Sequence, residues 1–152
     1  MAITVHKLMI DNKLELVAGE AGLYTLLTED MIARPGVEFA GFFDFFDYKR
    51  VILMGSKESM FLNQQDYEIS KRNVRRIYEL APPCIVFSIN AKIPQMFIDY
   101  ADEFGIALLK SNLRTTPTSS KLYTYLKLDF QCEVLNLLSK KQIKRSAFIC
   151  DE

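Results

Sequence analysis

Residues 82–109 read Pro82-Pro-Cys-Ile-Val-Phe-Ser-Ile-Asn-Ala-Lys-Ile-Pro-Gln-Met-Phe-Ile-Asp-Tyr-Ala-Asp-Glu-Phe-Gly-Ile-Ala-Leu-Leu109. Cys84 to Ile89 is a nearly continuous apolar run, too short for a helix and rich in β-branched residues, which suits a strand buried on both faces. Pro82-Pro83 forces an extended entry into it. Pro94 is placed to start a helix whose Met96, Phe97, Tyr100, Ala101 and Phe104 recur on one face. Gly105 suits the C-terminal cap, and Ile106 to Leu109 resumes as a strand. Strand, helix, strand in this order is a right-handed crossover, so the fold class is α/β.

Outward from this unit, Val51-Ile-Leu-Met54 is a second doubly buried strand, ended by Gly55. Between the two strands, Gln65 to Leu80 carries Tyr67, Val74, Ile77 and Tyr78 at helical spacing, with Lys71, Arg72, Arg75 and Arg76 on the outer face. Glu68, four residues before Arg72, supports a solvated surface, and no interleaved aromatic residues favour RNA on that face. Downstream, Thr115 to Ser120 opens a long helix with Leu122, Tyr125 and Leu126 facing inward.

Upstream, Thr4 can cap a short helix through Met9 that ends at Asp11-Asn12. Leu14 to Val17 alternates as a half-buried strand does, Gly19 and Gly22 punctuate the next segment, and Tyr24 to Thr28 suits another strand. Pro35 fits the first turn of a helix ending at Gly41. Then come Phe42, Phe43, Asp44, Phe45 and Phe46. These four rings either close the core from a connecting segment or form an interaction patch. After Asp129 the pattern weakens: Gln131 to Leu138 can continue the helix, Lys140 to Arg145 is basic, and Ser146 to Cys150 resembles the opening of a strand. The division expected is a domain over 1–130, then over 131–152 a connector and the start of a missing domain.

The chain has 152 residues, 49% hydrophobic and 25% charged, and folding at this size buries roughly 68–70% of the unfolded surface, which is enough for one core. Nineteen basic and nineteen acidic residues cancel, so there is no net positive field for general nucleic-acid binding. The longest uncharged stretch, Leu80 to Ala91, falls short of the ~20 residues that span a bilayer. The expectation is a soluble, cytoplasmic protein with neither nucleic acid nor membrane as partner. Cys84, Cys132 and Cys150 are odd in number and form no C-x-x-C pair, so reduced thiols and no metal site are expected. His6, beside the Thr4 cap, is expected in solvent.

Several catalytic patterns are missing from the sequence. It contains no Gly-x-x-x-x-Gly-Lys-[Ser/Thr] loop, Gly55-Ser56-Lys57 being the nearest imitation, no G-x-G-x-x-G and no Gly-x-Ser-x-Gly. Asp44 with Asp47 and Asp99 with Asp102 have spacings that solvated turns and helix faces also produce. No catalytic residue is assigned. One polar constellation stands out: Arg34 precedes a helix start, and Thr115 and Thr116 follow a strand and open a helix, where open α/β sheets hold ligands. Either the three bind an anion, or Arg34 anchors a loop on backbone carbonyls while the threonines cap a helix.

At these same residues the chain resembles the N-terminal domain of HPr kinase/phosphorylase. The resemblance rests on Leu14 to Gly22, Ile32-Ala-Arg-Pro-Gly-Val-Glu-Phe-Ala-Gly-Phe-Phe43, Leu53 to Gly55, Met60 to Leu62, Pro83 to Val86, Ile93-Pro94, Gly105 to Lys110, and Leu113-Arg-Thr-Thr116 with Ser119-Ser120. It covers about residues 3 to 128, and Arg34-Pro35-Gly36 with Ala40-Gly41 is its most specific part. The resemblance implies a three-layer α/β sandwich with a mainly parallel or mixed sheet, similar to Mur ligase N-terminal domains. It also implies a non-catalytic regulatory or assembly domain of a bifunctional serine kinase/phosphorylase. Such an enzyme uses ATP or pyrophosphate, acts on the phosphocarrier HPr of the phosphotransferase system, and controls carbon catabolite repression. ATP and Mg²⁺ belong to that family's catalytic domain, so no cofactor is expected in this chain, while a homo-oligomer is. The alternative is a stand-alone sensor of a phosphometabolite or nucleotide with the same fold.

Overall fold

The computed structural model describes residues 3–143. Five short strands form one sheet: β1 (Glu15–Ala18), β2 (Ile32–Ala33), β3 (Val51–Met54), β4 (Cys84–Phe87) and β5 (Ala107–Lys110), in the order β1-β5-β4-β3-β2. β2 to β5 run parallel and β1 closes one edge antiparallel to β5, so the sheet is mixed. The helices are α1 (Val5–Asp11), α2 (Ser56–Gln64), α3 (Tyr67–Glu79), α4 (Gln95–Phe104) and α5 (Thr115–Ile143), with 3₁₀ turns at Glu20–Tyr24 and Val37–Ala40.

Successive strand residues point to opposite faces, and here both faces are covered, which is why β3 and β4 are apolar throughout. Ile52, Met54, Ile85, Phe87 and Leu108 pack against Leu62 of α2, Val74, Ile77 and Tyr78 of α3, and Phe97 and Ala101 of α4. Val51, Leu53, Cys84, Val86 and Leu109 meet Val5 and Leu8 of α1 and Leu122 and Leu126 of α5 on the other side. The result is the three-layer α/β sandwich. α1 is tied to α5 by Tyr125, whose hydroxyl donates to Asp11 Oδ2 at 2.6 Å, while Lys7 Nζ donates to the same oxygen at 2.6 Å. Those two donors, Lys7 first, hold the Asp11 carboxyl below its ordinary range.

Burial on this second face also silences a thiol. Cys84 lies wholly inside, and desolvation pushes its pKa up to about 12, whereas Cys132 is exposed. A variant carrying Cys132→Ser and Cys150→Ser should therefore resist a thiol-specific disulfide reagent at pH 8 and react only as it unfolds. Labelling as fast as that of a free thiol in the native state would contradict this placement.

Several local expectations need correction. Tyr24 to Thr28 is not a strand: Leu26 makes one antiparallel bridge to Thr4, because the segment meets only the short N-terminal stretch before α1. No helix starts at Pro35. Arg34 and Pro35 follow β2 in no regular element, and the turn that ends at Gly41 is 3₁₀ and begins at Val37. β4 stops at Phe87, leaving Ile89 half-exposed, whereas α1 ends at Asp11 with Asn12 as its cap, as expected. α2 occupies a stretch where the sequence pattern marks no element. On α3, Arg75 pairs with Glu79 and with Glu103 of α4, and Tyr67 is exposed rather than inward. The helix does continue over Gln131 to Leu138 as expected, with α5 reaching Ile143, while the strand expected at Ser146–Cys150 lies outside the described residues.

Candidate functional site

In a parallel sheet all C-terminal strand ends share one edge, and the loops that leave them meet there. Three such exits converge. β3 passes through Gly55 into α2, β4 passes into the loop of Ser88 and Asn90, and β5 passes through Ser111 into α5. The last loop is held by its own side chains: Ser111 Oγ lies 2.8 Å from Thr118 Oγ1 and accepts the Leu113 N–H at 3.0 Å.

Gly55 sets the spacing between α2 and α5. A Cβ there would stand 2.8 Å from Thr115 Oγ1 and 2.9 Å from Thr115 Cγ2, so the first residue of α5 can sit against the start of α2 only because Gly55 has no side chain. Across this contact runs a chain of hydroxyls. Thr115 Oγ1 donates to Ser88 Oγ at 2.9 Å, and Ser88 Oγ donates to Asn90 Oδ1 at 2.8 Å.

Arg34 reaches the same place from the end of β2. Its Nη2 donates to both carboxylate oxygens of Glu58, at 3.2 and 3.1 Å, while Glu58 Oε1 also takes the Gly55 N–H. Glu58 is the more buried partner, and the pair occupies only Nη2 of Arg34, which leaves the other guanidinium N–H groups for a ligand. Around these groups lies a cavity of ≈ 410 Å³ walled by Arg34, Lys57, Asn90, Arg114, Thr115 and Thr116, with Ser56 and Pro117 completing it. All eight residues are neutral or cationic. The first turns of α2 and α5 line the cavity. Helix-opening N–H groups have no intrahelical acceptor, and at the start of α2 the Gly55 N–H is taken by the Glu58 side chain.

The structure thus brings together Arg34, Thr115 and Thr116, which the sequence singled out. Arg34 bonds to a carboxylate rather than to backbone carbonyls, and Thr115 Oγ1 bonds to Ser88 instead of capping its helix. Lys57, Arg114, Asn90 and Glu58 were missed. Lys57 and Arg114 do adjoin residues already marked, in Gly55-Ser56-Lys57 and Arg114-Thr115, but nothing local shows that residues so far apart in sequence share a wall. Among the described residues no cluster of His, Cys, Asp or Glu is placed to hold a metal ion, and no helix is long and apolar enough to cross a membrane.

Two of the four phenylalanines are packed and two are exposed. Phe43 and Phe46 pack against the core with their rings edge-on at 6.2 Å, and the Arg76 guanidinium lies 4.1 Å from the Phe43 ring centre. Phe42 is half-exposed and Phe45 is 98% exposed. Phe45→Ser should leave folding stability within about 0.5 kcal/mol of the parent by chemical denaturation. A loss of about 2 kcal/mol would mean that this ring is packed.

The family model described as HPr Serine kinase N terminus matches residues 3–126. The HPr kinase/phosphorylase of Bacillus subtilis (strain 168) is 36% identical over 113 residues, covering 74% of this chain and 36% of that protein. The corresponding protein of Shouchella clausii is 33% identical over 124 residues, 82% of this chain and 40% of its own. That of Clostridium acetobutylicum is 34% identical over 127 residues, 83% and 41%. The matched segments thus span about two fifths of these curated relatives.

Proposed function

This chain belongs to the HPr serine kinase N-terminal family, and on that premise we propose that it is a non-catalytic regulatory and assembly domain serving phosphorylation and dephosphorylation of HPr. The observation that carries the reading is the extent of the match: it takes in 36% to 41% of the HPr kinase/phosphorylases. The residues present agree with it, since the sequence holds no Gly-x-x-x-x-Gly-Lys-[Ser/Thr] loop to cradle a transferred phosphoryl group. HPr incubated with this 152-residue chain and either ATP or pyrophosphate should gain no phosphoserine by mass spectrometry. Stoichiometric phosphoserine in a preparation free of other kinases would overturn the reading. The assembly half is tested by light scattering: self-association should be weakened by Phe42→Ser with Phe45→Ser, and a monomer at high concentration would remove it.

The cavity favours a second role within the same domain, the sensing of a phosphate-bearing small molecule by Arg34, Thr115 and Thr116 together with Lys57 and Arg114. Pyrophosphate should bind at low salt, more weakly as salt screens the cations, and Arg34→Ala should reduce the affinity about tenfold or more. Calorimetry showing no binding, or binding indifferent to Arg34→Ala, would count against sensing and leave the regulatory reading untouched.

A further inference from the structure

We infer that the cavity's ligand is an organic phosphate whose apolar body lies in the groove next to it, so that one bipartite site reads both halves of the molecule; this rests on the phosphate-sensing role above. The groove, ≈ 410 Å³ like the cavity, is walled by Val37, Phe39, Ala40 and Phe61 and shares Lys57 with it. The Arg34–Glu58 pair stands between the two, Arg34 on the cavity and Glu58 on the groove. Each volume lies within the range of ~300–1,000 Å³ typical of small-molecule sites.

The charge on the polar side suits a phosphate monoester. Arg34 is met by Glu58, whereas the side chains of Lys57 and Arg114 have no ion-pair or hydrogen-bond partner among the described residues, and no acidic side chain lines the cavity. Two uncompensated positive charges match a group carrying about −1.5 to −2 at neutral pH. Arg34 uses only Nη2 on Glu58, so its remaining guanidinium N–H donors are free to meet phosphate oxygens.

On the apolar side, Val37 is 59% and Phe61 43% exposed, yet they flank the buried Phe39 and adjoin a cationic cavity. An inorganic anion would leave this wall uncovered. A flat or aliphatic body attached to the phosphate would remove it from water and gain affinity in proportion to the area covered. The size of the cavity, ≈ 410 Å³, and a chain of zero net charge favour a small molecule over a nucleic-acid track.

The experiment titrates the isotopically labelled 152-residue chain by NMR with inorganic phosphate, phenyl phosphate and benzyl alcohol. Phenyl phosphate should bind about tenfold or more tightly than phosphate, and it alone of the two should move the amides of Gly36, Ala40 and Phe61. Phe61→Ser should abolish the advantage of the aryl ester without weakening phosphate, whereas Arg114→Ala should weaken both about tenfold. Val37→Ser provides the same test should Phe61→Ser melt early. Equal affinity for the two anions, unmoved by either groove variant, overturns the bipartite inference and leaves phosphate sensing standing. Benzyl alcohol binding as tightly as phenyl phosphate also overturns it. Absence of binding by both anions removes the sensing role and the inference together.

Discussion

Gly19→Ala should lower the melting temperature by about 10 °C, among the largest effects of any single methyl group added to this chain. Gly19 has φ 72° and ψ 41°, the left-handed region where an L side chain costs roughly 1–2 kcal/mol. The second penalty is steric. A Cβ at this position would fall 1.9 Å from the Ile106 carbonyl oxygen and 3.1 Å from that of Ala101. Both are backbone atoms, one in the last turn of α4 and one between α4 and β5, so no rotamer change relieves the overlap. The Gly19 N–H also donates to Asp102 Oδ1 at 2.9 Å, and the displacement needed to admit a methyl group would stretch that bond. Strain and overlap together reach about 3–4 kcal/mol, and a domain of this size shifts about 2–4 °C per kcal/mol. Thermal melting followed by circular dichroism checks it. A variant that melts within about 2 °C of the parent would show that β1 does not approach α4 as closely as described.

Phe97→Ala should cost about 3–5 kcal/mol, again about 10 °C or more. Phe97 is 1% exposed and meets Phe87 of β4 edge-on at 5.0 Å and Tyr78 of α3 at 6.0 Å, so it joins two helices to the sheet. Deleting the ring removes its transfer free energy and leaves a cavity that three elements would have to move to fill. The neighbouring polar bond separates packing from hydrogen bonding. Tyr78 Oη donates to the Phe97 carbonyl at 2.8 Å, and burial raises the phenol's pKa above its ordinary value, so the group stays neutral and a donor. Tyr78→Phe should therefore cost only about 1 kcal/mol, the net worth of one such bond, as judged by urea denaturation. If the two substitutions proved equally damaging, ring packing would not be what couples α3 and α4.

These two positions differ in how far they could be read in advance. Phe97 belongs to a stripe with Met96, Tyr100 and Ala101 between Pro94 and Gly105, and all four are buried. Gly19 is visible as punctuation, but that its hydrogen atom faces a carbonyl nearly ninety residues away is not a local property. The candidate site shows the same division. Arg34, Thr115 and Thr116 could be picked from their neighbours, whereas Lys57 and Arg114 became relevant only where the loops converge.

The amino-acid order alone determined the features that depend on short-range periodicity and burial. β3 and β4 are apolar at every position because both faces of the sheet are covered. α3 and α4 arise from one-sided stripes, and the ends of α4 from the φ preferences of Pro94 and Gly105. Tertiary structure decided the rest. β2 is a two-residue strand that exists because the edge of β3 offers it backbone partners. α2 buries only Ser59 and Leu62, too few to mark a stripe, and is held by its position between β3 and α3. The cavity owes its walls to parallel pairing, which brings the exits of β2, β3, β4 and β5 to one edge across a sequence separation of about eighty residues. Periodicity acts over one or two turns of chain, whereas strand pairing is settled by which long-range contacts bury the most surface. For that reason the strongly patterned elements and three residues of the site were legible, and the convergence that joins them to Lys57 and Arg114 was not.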